Sequence, residues 1–190
     1  MYKEIIEEFW EDDLFPTVFA TIMILRTPLS VAGLASLLDL TVSEIFIEIF
    51  KIQSILVIPA DDNTPVDVVH TSLRDFAISQ KRSGTLTVTP RNQLVTANHC
   101  LNIMSTQSEE VAFQGGAAIY AVKHWVTHLG LALEDPDFDS LLPVLKSFVA
   151  QSFKTWFNSL LNKGKYSNAE SQLAAVIERA KVSPPSVLET

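Results

Sequence analysis

The feature that most constrains this chain is the order of short elements between Ser30 and Val69. Two helical stretches, Ser30 to Leu38 and Val42 to Gln53, are separated only by Asp39-Leu40-Thr41, which is the spacing of a helix-turn-helix. Two β-branched runs follow, Ile55 to Ile58 and Val66 to Val69, split by a polar turn rich in Asp, Asn and Pro. Helix-turn-helix then hairpin is the plan of a winged helix. Thr41-Val42-Ser43-Glu44 fits a capping box, and Val42, Ile45, Phe46, Ile49 and Phe50 fall at core spacing on the second helix.

The flanks read as helix. Residues 2–10 carry Ile5, Ile6 and Phe9 on one face, and Phe15 to Leu25 is apolar nearly all round, with Pro16 tolerated in its first turn. Ser72-Leu73-Arg74-Asp75 fits a second capping box, for a helix to about Ser79. Lys81 to Gly84 reads as a turn, and Thr85 to Thr89 alternates with period two, so a third short strand or extended segment is expected there. Pro90 to Met104 is helical, with Leu94, Ala97, Leu101 and Met104 inward. Helices are also expected over about 118–131, over 138–161 with a kink at Pro143, and over 167–181, before a flexible tail from Val182. The fold class is therefore mainly α with a small β-hairpin: a winged-helix domain with N-terminal helices over 1–104, and an all-helical domain over 105–190.

Charge and composition narrow the functions. A net charge of −8 opposes broad contact with nucleic-acid phosphates, and the second helix of the motif offers Glu44 and Glu48 against one Lys51. A DNA-binding regulator is thereby disfavoured, and packing on another protein is the more natural task for that helix. With 47% hydrophobic residues, 19% charged and eleven Phe in 190 residues, some apolar surface is expected to meet a partner. The longest apolar run, Leu14 to Leu25, is too short to span a bilayer, so no membrane segment is expected. The acidic opening after Met1 has no secretory or transit pattern, and the single Cys100 suits a reduced, cytoplasmic compartment.

No phosphate loop, dinucleotide fingerprint, zinc-type Cys pair or nucleophile elbow is present, so no enzyme activity is expected. His124 and His128, at i and i+4 on one helix, could reach a common metal, but no further ligands are placed by local sequence. A helix-surface or interface position is the preferred reading for both, and no metal site is expected. His99 is an ordinary helix position. The acidic groups Asp12-Asp13, Asp61-Asp62 and Glu134 to Asp137 fall in turns and read as solvated loop charge. His70 stands apart, because it joins an alternating strand to a helix start, where amide groups favour anions.

The stretches 26–38 (Arg26-Thr27-Pro28 to Leu38), Leu56-Val57-Ile58-Pro59 and His70-Thr71-Ser72-Leu73-Arg74-Asp75-Phe76 resemble the winged-helix part of fungal NACHT-type signalling NTPases, the NOD-like members of the STAND class. The likeness continues in order through His99 to Met104, Tyr120-Ala121, Trp125, His128-Leu129, Phe148 and Trp156-Phe157. It implies a non-catalytic regulatory fragment that packs on the nucleotide-binding domain of its parent or of a homologue and stabilises the ADP-bound resting state. By the same resemblance His70 contacts the β-phosphate of ADP, with Ser72 beside it. ADP or ATP would belong to the complete module, and none is expected to be held by this chain alone. Release of the contact would favour an open, oligomerising state. The chain departs from the family signature His-x-Ser-Phe-x-Asp-Phe-Leu at Leu73 and Ala77, and it lacks the phosphate loop and sensor elements. The rival expectation is a free-standing winged-helix protein-interaction module that never meets a nucleotide.

Overall fold

A computed structural model describes residues 1–106, 115–162 and 174; the expected helix over 167–181, apart from residue 174, and the tail from 182 lie outside the described residues, as does most of the 105–116 boundary segment. Ten α-helices and one two-stranded hairpin are found among the described residues. The protein is mainly α with a small β-hairpin.

Helix α1 (Tyr2–Glu7) buries only Ile6, whereas α2 (Phe15–Ile24) carries Pro16 in its first turn and is buried on nearly every side. The next two helices form the helix-turn-helix. In α3 (Val31–Leu38) the Ser30 hydroxyl accepts from the Gly33 amide at 3.1 Å, satisfying one orphan donor, and Asp39 ends the helix in the left-handed region at φ 56°. In α4 (Val42–Lys51) the box is complete: the Glu44 amide donates to Thr41 Oγ1 at 3.2 Å, and the Thr41 amide donates to Glu44 Oε2 at 2.7 Å. The Thr41 amide, and with it the Thr41 hydroxyl, which also donates to Glu44 Oε2 at 2.7 Å, hold the Glu44 pKa below its ordinary value. Replacing Ser30 with Ala is expected to cost about 1 kcal/mol in a denaturant melt, while Ser30→Asn should cost little.

Strands β1 (Leu56–Val57) and β2 (Asp67–Val68) pair antiparallel, Leu56 opposite Val68 and Val57 opposite Asp67. The extended residues before α3 add a rung the sequence did not suggest. Ser30 bridges Pro65, and the Val66 amide donates to the Leu29 carbonyl at 2.9 Å. The wing is thus tied to the start of the helix-turn-helix.

Three local expectations are corrected. The helix after the wing, α5 (Ser72–Ala77), is capped by Thr71 with no side-chain bond, so Ser72 and Asp75 do not make a capping box. Of the strand or extended segment expected over Thr85 to Thr89, no strand forms, and only the end beyond Leu86 is extended, at Thr87: α6 (Gln80–Ser83) runs through Gly84, at φ 64°, into a 3-10 turn over Gly84–Leu86, where Thr87 Oγ1 bonds Ser83 Oγ at 2.6 Å and the Gly84 carbonyl. Threonine hydroxyls that satisfy the backbone locally leave no need for a ladder. Pro143 starts a helix instead of kinking one. It lies in the first turn of α9 (Leu142–Gln151), and the break falls at Ser152, before α10 (Phe153–Asn162).

Helices α7 (Pro90–Thr106) and α8 (Gly116–Ala132) form the largest helix pair. Beneath them Trp125, Phe148 and Trp156 stack edge-on, with centroids 5.1 Å (Trp125–Phe148) and 5.4 Å (Trp125–Trp156) apart, and Trp156 Nε1 donates to the Val122 carbonyl at 2.9 Å. Buried residues from Ile6 to Trp156 belong to one contiguous cluster, which spans both sides of residue 105. Leu73 and Ala77 are fully buried in it.

The core stripe of α4 is rotated from the expected one. Ile45, Glu48, Ile49 and Ile52 face inward, while Phe50 is 50% exposed and stacks on the half-buried Phe46 at 5.9 Å. Glu48 can point inward because Lys51 Nζ reaches it at 2.7 Å and Asp12 at 2.8 Å. The ammonium also lies 5.9 Å and 6.0 Å from the ring centroids of Phe9 and Phe15.

Candidate functional site around His70

His70 sits where the wing ends and α5 begins. The Val69 amide donates to the Ile55 carbonyl at 3.1 Å as the last tie to the hairpin, and the Leu73 amide donates to the His70 carbonyl at 3.0 Å as the first turn of helix. The ring is exposed to solvent. Its Nδ1 accepts from the Ser72 amide at 3.1 Å and lies 2.8 Å from Ser72 Oγ. An amide can only donate, so Nδ1 is the acceptor and the hydrogen of the neutral ring is on Nε2. Ser72 Oγ in turn lies 2.8 Å from the Tyr2 hydroxyl.

Ser72 therefore holds the ring, with its amide and hydroxyl both turned to His70 and Tyr2. The expectation of an anion-binding helix end is reduced as well, since α5 has only six residues and its first amide serves the imidazole. What faces outward is a histidine donor beside an open groove of about 410 Å³ lined by Met1, Tyr2, Ser54, Ile55, Val69, His70 and Ser72. Tyr2 had no local signal, because it stands seventy positions before Ser72 and meets it only through the packing of α1 on α5. The nearby Arg74 pairs with Asp67 at 3.6 Å.

His124 and His128 do not form a metal pair. His128 is fully buried, which corrects the helix-surface reading: its Nε2 lies 2.6 Å from the Tyr120 hydroxyl and its Nδ1 2.6 Å from Gln93 Oε1. The Arg26 amide donates to the same Tyr120 oxygen at 3.2 Å. One direction satisfies every atom: Tyr120 donates to Nε2, and Nδ1–H donates to Gln93. Burial pushes the His128 pKa down to about 3, with Arg26 and His124 adding to it. His124 is half-buried, its Nε2 3.5 Å from Thr27 Oγ1, and burial, Lys123 and Arg26 bring it to about 4. Burial also depresses His99 and raises the Cys100 thiol. Among the described residues no group of three His, Cys, Asp or Glu is placed to hold a metal ion.

The acidic turns are structural. Asp61 accepts from the Asn63 and Thr64 amides and the Thr64 hydroxyl, which lowers its pKa. Asp135 is buried, accepts from the Asp137 amide, and lies 3.6 Å from Arg91. The outer face of α4 presents Ile47 and Phe50, and its one cation is engaged by Asp12 and Glu48, so no base-reading or phosphate-neutralising surface is found on that helix. No helix among the described residues is long and apolar enough to cross a membrane.

No family model matches the chain, and neither the curated proteins nor the solved structures provide a match.

Proposed function

We propose that this chain is a non-catalytic regulatory module whose winged helix packs on a nucleotide-binding domain and offers His70 Nε2–H to a phosphate of bound ADP. The observation that carries the reading is the half-satisfied ring: Nδ1 is engaged inside the chain, while the exposed imidazole keeps a donor for an outside acceptor. His128, buried and bonded at both nitrogens inside the chain, has no donor left to offer outward. One donor supplies few of the contacts a nucleotide needs, so the chain alone should hold ADP weakly.

In the complete module, with the nucleotide-binding domain present, His70→Ala is expected to weaken ADP by about tenfold or more, the worth of one hydrogen bond to a charged group. Basal oligomerisation should rise with it, as the resting state loses its clasp. Calorimetric titration with ADP tests this directly, and an unchanged dissociation constant removes the role given to His70.

The second reading, a protein-interaction module without nucleotide, is favoured by the exposed Ile47 and Phe50 of α4. It gains ground if His70→Ala changes nothing while an Ile47→Ser/Phe50→Ser variant loses partner binding.

A further inference from the structure

We propose that Tyr2 is a positioning residue for His70, reaching across from α1 to keep the ring hydrogen on Nε2. The inference deepens the reading above and rests on it only for the consequence at phosphate.

An imidazole offers Nε2–H outward only while Nδ1 stays occupied as an acceptor, because a neutral ring can exchange tautomers or turn over about its last side-chain torsion. Two donors of Ser72 can occupy Nδ1, the amide at 3.1 Å and the hydroxyl at 2.8 Å. The amide cannot turn away, but the hydroxyl can, and it has a single hydrogen. That hydrogen points at His70 when Tyr2 is the donor in its bond to Ser72 Oγ; with Tyr2 as the acceptor the same hydrogen would turn to Tyr2 instead. In the proposed arrangement Tyr2, 2.8 Å away, is the donor. The result is a directed chain, Tyr2 O–H to Ser72 Oγ, Ser72 O–H to His70 Nδ1, in which each bond polarises the next.

The tyrosine is itself fixed, its ring 5.7 Å from that of Phe76 on α5. Helix α1 therefore belongs to the His70 site. Withdrawal of α1 from α5 would break the chain at its first link and leave the Ser72 amide as the one fixed donor on Nδ1.

The test uses the full chain with ¹⁵N-labelled histidine, read by two-bond proton–nitrogen correlation above the titration range of imidazole, with His70→Ala to identify the signals. Wild type should show the Nε2–H tautomer, with Nδ1 shielded as a nitrogen that accepts hydrogen bonds. Tyr2→Phe keeps the ring contact with Phe76, so the fold should persist. Its Nδ1 signal should move toward that of a free acceptor, with the Nδ1–H form gaining population. Ser72→Ala should do so further, Ser72→Thr should restore the wild-type signals, and Glu4→Gln on the same helix should leave them in place. His70 signals in Tyr2→Phe that coincide with wild type would overturn the positioning role, whatever His70 binds. Signals that move, alongside an ADP affinity indifferent to His70→Ala, would keep the positioning role and reject the phosphate reading.

Discussion

Replacing His128 with alanine is expected to destabilise the protein by about 4 kcal/mol, the largest effect of any single substitution considered. Part is the cavity left by a fully buried ring, on the order of 2 kcal/mol or more. The rest comes from the Tyr120 hydroxyl, left buried without its 2.6 Å acceptor, and in smaller part from the part-buried Gln93 amide oxygen, which loses its 2.6 Å donor. Three elements converge on this ring, since Arg26 follows α2, Gln93 lies on α7, and Tyr120 and His128 share α8. Chemical denaturation measures the loss directly. A penalty under about 1 kcal/mol would mean that the ring is not packed and bonded as described.

The same residue sets a pH dependence whose sign follows from its depressed pKa. The ordinary value of 6.5 applies to the unfolded chain, and about 3 to the folded one. Between those limits the unfolded state binds a proton that the native state refuses, so stability is full above pH 6.5 and is lost as pH falls toward 3. The slope attributable to His128 approaches about 1.4 kcal/mol per pH unit. His124 adds in the same direction, with its share cut by solvent because the ring is only half-buried. Denaturation midpoints across that range should fall steeply for wild type and distinctly less for His128→Leu.

The contrast between His128 and His70 shows what a sequence carries and what it hides. Capping at Thr41–Glu44, the apolar run of α2 and the turn-bounded hairpin are local, and each was readable because its cause lies within a short stretch of sequence. The burial of His128 depends on Gln93, thirty-five residues away, and periodicity could not separate a surface pair from a core relay. His70 was visible as an unusual residue at a helix start, yet its tautomer is decided by Ser72 and Tyr2 together, and Tyr2 arrives through tertiary packing. Thr85 to Thr89 shows the opposite failure. There a true period of two misled, because Ser83, Thr87 and the flexible Gly84 satisfy one another before any strand partner is needed.

Lys51→Met should be the second most damaging change, at about 2 kcal/mol. Partial burial works against the charge of Lys51, but its bonds to Asp12 and Glu48 outweigh that and hold its pKa above the ordinary value. The residue that suffers in the variant is Glu48, whose side chain is only 7% exposed and would be left as a buried carboxylate without a counter-ion. A fully buried pair broken in this way costs about 3–5 kcal/mol, and the figure is lower here because Lys51 keeps 22% of its side chain in water. The tie from α4 to the acidic loop at Asp12 would go too, along with the cation's contacts to Phe9 and Phe15. If the stranded carboxylate is the cause, adding Glu48→Leu to Lys51→Met should recover most of the loss in a double-mutant cycle, because an apolar side chain suits a site between Ile45 and Ile52. A double variant no more stable than Lys51→Met alone would place the cost in the lost tie to Asp12 and not in Glu48.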